Sequence, residues 1–179
     1  MNSDDTYDPE SWEGDYELYE MEDWVGLLNL REKDAKKHPS DLYAQQRYAE
    51  ALNLNKRYND TLDFIAPLYK ANYEIVFGVH EIIDALYGLG KTENDFNWIN
   101  KPDILKLDSN LIKLCTDFLR PKRKSVSVTD IYCDLLVKSD YCAFNEQELA
   151  NYLVKLTDIF AVQIDTEYIM DSKLKLKRK

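Results

Sequence analysis

The chain has 179 residues, of which 45% are hydrophobic and 31% are charged. This balance is typical of a folded protein and excludes a disordered one. The three cysteines fit no disulfide or metal-ligand spacing, and no apolar run approaches the length of a membrane span. Since the sequence also shows no signal peptide, we expect a cytoplasmic protein that uses no membrane, metal or cofactor.

The net charge of −10 lies at the N-terminus, because residues 1–23 hold ten Asp or Glu and no Lys or Arg. Residues 1–21 show no helical periodicity and are predicted to form a flexible acidic arm. Trp12 and Tyr16 lie within this arm and indicate that it docks on a surface. One hypothesis is that the arm inhibits a basic surface near the C-terminus. The alternative is that it packs on the first helix or stays disordered.

Residues 22–107 have the spacing of apolar residues that predicts helices. The first helix spans about residues 22–37 and is ended by Pro39. Two helices follow in residues 41–72, and a fourth ends near Gly88 and Gly90. Residues 92–107 are predicted to form a shorter, less regular helical piece. Several pairs of apolar or aromatic residues in this region are 34 positions apart. They are Trp24 and Tyr58, Leu28 and Leu62, Leu30 and Phe64, Ala51 and Ala85, and Leu52 and Leu86.

This interval, which we call the repeat interval, is about 34 residues long and is typical of stacked helical hairpins. Residues 24–96 resemble the tetratricopeptide repeat family. Trp24 and Tyr58 match its large aromatic position, Ala49 matches its small residue between two helices, and Pro39 matches its closing proline. The resemblance implies about two and a half repeats, whose first helices line a concave face that binds a protein or peptide. On this chain that face would include Gln45, Gln46, Tyr48, Asn53, Val79 and Tyr87.

Residues 108–179 show the order helix, strand, helix, helix, strand, strand. Asn145 and Glu148 have the spacing of a capping box, which predicts the start of the third of these helices. The order resembles a winged helix-turn-helix, in which the helix over residues 145–156 would enter a DNA groove and residues 165–173 would form the wing. Helical repeats followed by a winged helix also resemble PCI-domain scaffold subunits, in which the winged helix assembles proteins.

Two basic clusters in this region could contact phosphates. The first precedes the predicted strand at residues 125–128, and this strand should pair beside the wing, so the clusters would be neighbours. Another interpretation is a lysine-guarded edge strand followed by a solvated tail. The candidate nucleic-acid-binding residues are Arg120, Lys122, Arg123, Lys124, Gln147, Asn151, Lys155, Lys173, Lys175 and Lys177.

No catalytic residues are predicted, because no His pairs with Ser or Cys at a motif spacing and no glycine-rich phosphate loop occurs. We therefore expect a mainly α protein: a tetratricopeptide-like helical array followed by a winged-helix domain with a small antiparallel sheet. The expected function is that of a non-enzymatic adaptor or regulator that binds a protein or peptide through its repeats. The alternative is a DNA-binding transcriptional regulator. The sequence does not predict the oligomeric state.

Overall fold

The computed structural model describes residues 10–75 and 77–177, apart from the side chains of residues 10–13 and 73. The described chain is mainly helical and carries a small antiparallel sheet, as the sequence predicts. It divides into two compact units, residues 1–100 and 101–179. The boundary thus follows Asn100 rather than residue 107.

The described part of the first unit contains five α-helices, and the most N-terminal of them was not predicted. The flexible arm is wrong for residues 10–20, which form a helix, while residues 1–9 lie outside the described residues. The aromatic and acidic residues of this helix mask any apolar stripe, so periodicity gave no signal. The helices are α1 (Glu10–Glu20), α2 (Trp24–Lys37), α3 (Leu42–Leu54), α4 (Tyr58–Ala71) and α5 (Val79–Gly88).

Helices α1, α3 and α5 end in the same way, and their ends are one repeat interval apart. Glu22, Lys56 and Gly90 follow these helices in the left-handed conformation, with φ of 53°, 58° and 70°. The N–H of the next residue then bonds to a carbonyl five positions back, over 2.9 Å, 2.9 Å and 2.8 Å respectively. This is the Schellman arrangement, which satisfies carbonyls at the end of a helix. The repeat interval found in the sequence therefore also separates helix ends with the same backbone conformation.

The core of the first unit contains residues that share the repeat interval. Ala51 and Ala85 are fully buried, as is Ala49, which the family resemblance assigned to the contact between two helices. Residues 92–100 form a short 3-10 turn (Glu93–Asp95) and an irregular segment rather than the helical piece expected. The ring of Trp98 packs on Tyr69 with centroids 5.3 Å apart. This contact holds the segment on the first unit and accounts for the boundary after Asn100.

The described part of the second unit has the predicted order of elements, with two short strands added. Strands β1 (Ile104–Leu105) and β3 (Tyr141–Cys142) have two residues each and pair in parallel, and such short strands leave no periodic signal. Helix α7 (Val128–Lys138) is capped by Ser127, whose Oγ accepts a hydrogen bond from the backbone N–H of Asp130 over 3.1 Å. The elements are β1 (Ile104–Leu105), α6 (Ser109–Leu119), β2 (Val126–Ser127), α7 (Val128–Lys138), β3 (Tyr141–Cys142), α8 (Glu146–Leu153), β4 (Phe160–Gln163) and β5 (Lys173–Leu176).

Strands β2, β5 and β4 form an antiparallel sheet in that spatial order. Phe160, Val162 and Leu174 point into the core of the second unit, while Ala161, Gln163 and Lys173 are exposed on the opposite face. The predicted strand at residues 125–128 corresponds to β2, which pairs with β5 so that Val126 lies opposite Leu174. That residues 165–173 form a wing stays a prediction.

Candidate partner-binding surfaces

One row of side chains on α1, α3 and α5 is accessible and follows the repeat interval. From Tyr43 to Asn53 on α3 the positions of this row are spaced by three or four residues, and the intervening positions are buried except for the half-buried Tyr48. The positions one repeat interval before Glu50 and Asn53, on α1, are also accessible, as are the positions one interval after Gln46, Glu50 and Asn53, on α5. The exposed Glu20, next to Tyr19, is included with them. We call this row the α1–α3–α5 face. It comprises Tyr16, Tyr19, Glu20, Tyr43, Gln46, Glu50, Asn53, His80, Asp84 and Tyr87.

The α1–α3–α5 face is acidic and aromatic. It carries three carboxylates and four tyrosines, and none of its members is Lys or Arg. Tyr16 is 66% exposed, Tyr43 is 45% exposed and Tyr19 is 42% exposed. Tyrosines with an apolar ring and a hydroxyl group are common in binding surfaces. The face thus combines negative charge with aromatic contact area.

Glu81 joins two of the predicted binding residues and was not itself predicted. Gln46 donates from Nε2 to Glu81 Oε1 over 3.0 Å, and Asn53 donates from Nδ2 to the Glu81 carbonyl over 2.9 Å. Glu81 is 6% exposed, and burial raises the pKa of its carboxyl group. Among the described residues, Glu81 Oε2 and Asn53 Oδ1 are buried acceptors without a hydrogen-bond donor. The α3–α5 seam is therefore a polar contact behind the accessible row.

Three of the predicted partner-binding residues are not on this face. Gln45 is buried, and its amide donates to the carbonyls of Ala35 and His38 over 2.9 Å and 3.0 Å. It satisfies carbonyls at the end of α2, which have no partner within that helix. Val79 is buried in the core. The ring of Tyr48 packs edge-on against Phe64, with centroids 4.9 Å apart.

Tyr87 is on the face and half-buried, with its hydroxyl donating to Glu93 Oε2 over 3.2 Å. Together with Gln46 and Asn53, it is one of the three predicted residues that the structure brings into one row. The tyrosines of α1 were missed because the segment was not predicted to be helical. Their position one repeat interval before Glu50 and Asn53 is the signal that could have revealed them.

An ion cluster joins α1 to α2 and α3. Asp15 bonds to Arg31 Nε over 2.8 Å and to Arg47 Nη2 over 2.7 Å, and both arginine side chains are 6% exposed. Burial alone would raise the pKa of Asp15, but the hydrogen bonds and charges of Arg31 and Arg47 hold that pKa below its ordinary value. Arg31 also bonds to Glu50 over 2.6 Å.

The position of Asp15 shows where the described part of the arm packs. Asp15 is buried in the first unit, and α1 packs on α2. Docking of the arm on the basic surface near the C-terminus stays a prediction. Packing on the first predicted helix is confirmed for this segment. Residues 1–9 lie outside the described residues.

Several basic residues of the second unit lie on β5 or near it. Lys173 and Lys175 share the outer face of β5, with Lys177 directly after this strand. Since β2 runs antiparallel to β5, the residues before Val126 approach the residues after Leu174. Residues 122–124 are thus directed toward Lys175 and Lys177, and all three are exposed. Arg120 is exposed and pairs with Asp117 over 3.2 Å.

The interpretation of a lysine-guarded edge strand is wrong, because β5 is the central strand of the sheet. The capping box of α8 is confirmed: Asn145 and Glu148 exchange hydrogen bonds of 2.8 Å and 2.9 Å. This helix ends at Leu153, so the exposed Lys155 follows it rather than lying within it. Gln147 and Asn151 are exposed on α8 as predicted.

Within the described residues, no group of three His, Cys, Asp or Glu side chains could hold a metal ion. Burial raises the pKa of the Cys115 thiol to about 12, so this sulfur is not a thiolate at neutral pH. No helix in the described ranges is long and apolar enough to cross a membrane.

Comparison with protein-family models, with curated proteins and with solved structures finds no match.

Proposed function

We propose that this chain is a non-enzymatic adaptor or regulatory protein, and that it binds a protein or peptide through the α1–α3–α5 face. The observation that carries the proposal is the recurrence of Glu22, Lys56 and Gly90 as left-handed helix ends at the repeat interval. This recurrence supports the resemblance to tetratricopeptide repeats, which present the first helix of each hairpin to a ligand. It also adds α1 to the array.

The partner that fits this face is a basic segment with apolar side chains. Glu20 and Asp84 would attract Lys or Arg, whereas Glu50 is already paired with Arg31. The tyrosines offer rigid contact area at low entropic cost. Exposed ion pairs contribute only about 0–1 kcal/mol each. The tyrosine contacts must therefore supply most of the affinity, and the carboxylates supply preference for charge.

A peptide display selection on the purified chain tests this proposal. We expect selected sequences to be enriched in Lys or Arg next to an aliphatic or aromatic residue. Asp84→Lys should weaken their binding by about tenfold, and added salt should weaken binding to the wild type. Asp63→Lys is the matched control, because Asp63 is exposed on α4 and outside the face. Equal effects of the two substitutions, or selected sequences rich in acid, would contradict the proposal.

A second candidate function is DNA binding by the second unit as a winged helix. The antiparallel pairing of β2 with β5 favours it, because this register directs residues 122–124 toward Lys175 and Lys177. Five cations near one end of β5 could contact several phosphates. Glu146 and Glu148, in the first turn of α8, oppose groove entry by that helix. We therefore rank the adaptor function first.

A further inference from the structure

Strand β4 forms an open edge of the antiparallel sheet. Lys177 N–H bonds to the Ile159 carbonyl over 3.0 Å, and Ile159 lies opposite Lys177 in the same register as the paired strands. Since hydrogen-bonded positions alternate along an antiparallel pair, Ala161 and Gln163 also bond to β5. The backbone groups of the residues between them point away from the sheet.

Four outward backbone groups have no partner in the described part of the chain. They are the carbonyl of Phe160, the N–H and carbonyl of Val162, and the N–H of Ile164. The outward N–H of Phe160 is already used, because it bonds to the Leu156 carbonyl over 3.0 Å. Unpaired groups of this kind on an edge strand bind a further strand readily.

The sequence of this edge carries none of the residues that usually prevent strand addition. Residues 159–164 read Ile-Phe-Ala-Val-Gln-Ile, with no Lys, Arg, Asp, Glu or Pro. Lysine and proline are the common protective residues on edge strands, yet the lysines of this sheet are on the central strand β5. Ile164 is 58% exposed directly after β4. The edge is therefore suited to pairing.

We propose that β4 pairs in antiparallel orientation with β4 of a second copy of this chain, about a twofold axis at Val162. The four free groups are self-complementary in this register. The two Val162 residues exchange two hydrogen bonds, and each Ile164 N–H donates to the Phe160 carbonyl of the other copy. All four groups are used, and the occupied N–H of Phe160 is not needed. The product is a continuous six-stranded sheet.

Side chains and charges are compatible with this dimer. On the core side, Ile164 of each copy would lie opposite Phe160 of the other, which covers exposed apolar surface. The two β5 strands, which carry the lysines, would be three strand spacings apart, or about 14 Å. This exceeds the screening length of about 8 Å at physiological salt. The contact is isologous and closes on itself, so it forms a dimer rather than a filament.

Sedimentation equilibrium of the full chain over a range of concentrations tests the proposal. We expect a reversible monomer–dimer equilibrium for the wild type. In the twofold register position 161 lies directly opposite position 163 of the other copy, on the outer face, about 4.5 Å apart between Cα atoms. The double variant Ala161→Glu/Gln163→Glu therefore sets carboxylates against each other, and its dimer should be lost. Within each chain the same carboxylates face Lys175 and Lys173, so the fold is preserved.

The matched control is Ala161→Glu/Gln163→Lys, which sets opposite charges against each other and should retain the dimer. Circular dichroism and thermal melting verify that both double variants are folded. A wild-type chain that stays monomeric at every concentration overturns the proposal. So does a dimer that persists equally in both variants, because it then uses another surface. Loss of the dimer in both variants contradicts the twofold register.

Discussion

The ring of Tyr58, at the start of α4, lies against Gly88 in the last turn of α5. A Cβ atom on residue 88 would overlap three atoms of this ring. Tyr58 is the residue that the repeat resemblance assigned to a large aromatic position. The absence of a side chain at Gly88 is thus what allows α4 and α5 to approach at this point.

Gly88→Ala should destabilise the first unit by about 1–3 kcal/mol, because the overpacking outweighs the better helix propensity of Ala. Thermal or urea unfolding measures the change. Gly14→Ala, within α1, is the matched control, since a Cβ atom on residue 14 would meet only Cδ2 of Leu30, at 4.0 Å. The control should be neutral or more stable than the wild type. Tyr58→Leu in the Gly88→Ala background should recover part of the loss.

Ala49→Leu should also destabilise the first unit, by about 1–3 kcal/mol, because Ala49 is fully buried in α3. Ala71→Leu is the control, since Ala71 is exposed at the end of α4. The two variants add the same atoms, so the difference between their unfolding curves reports the space at each site. Wild-type stability of Ala49→Leu would mean that the contact assigned to this alanine does not constrain the helices.

Local patterns in the sequence predicted those elements whose causes are local. The capping box of Asn145 and Glu148 spans three residues, and the strand pattern of β4 and β5 follows from alternation of side chains. Helix α1 could not be predicted in this way, because its docking depends on Asp15 contacting arginines on other helices. The contact is decided by tertiary structure, which single-sequence periodicity does not report.

Burial of the candidate site residues was predicted less well than their helices. Glutamine is usually a surface residue, so Gln45 was predicted to be accessible. It is buried because carbonyls at the end of α2 need hydrogen-bond donors, and the amide of Gln45 donates to two of them. Glu81 was overlooked because carboxylates are seldom buried. In both cases a buried polar side chain forms hydrogen bonds with the backbone or a side chain of a neighbouring helix. Such roles become visible only when the helices are assembled.

Asp15→Asn should destabilise the first unit at neutral pH by about 3 kcal/mol, because it leaves the buried arginines with less negative charge. The pKa of Asp15 is lowered in the folded chain. Its contribution is therefore present above the unfolded Asp pKa of about 3.9 and is lost as the pH falls through the lower folded value. The stability difference between the wild type and the variant should thus shrink on acidification.

Urea unfolding at a series of pH values measures this dependence, with Asp63→Asn as the control. Asp63 is exposed on α4, so its substitution should have a small effect at every pH. A variant at position 15 with wild-type stability at neutral pH would show that the ion cluster does not hold α1 on the first unit.

The last prediction concerns the basic residues of the sheet and the DNA-binding alternative. Replacing Lys173, Lys175 and Lys177 with Gln should lower the affinity for duplex DNA of any sequence. The slope of log affinity against log salt should flatten by roughly 0.9 for each phosphate that the variant no longer neutralises. Fluorescence anisotropy of a labelled duplex at several salt concentrations measures both quantities.

The control replaces Lys33, Lys36 and Lys37 on α2 with Gln, which removes the same charge from the first unit. Equal losses in the two triple variants would indicate general attraction by net charge rather than a site on the sheet. If the wild-type chain binds no duplex DNA even at low salt, the proposed DNA-binding function is wrong. In that case the lysines of β5 remain available for an acidic protein surface, which the same titration with an acidic peptide in place of DNA would detect.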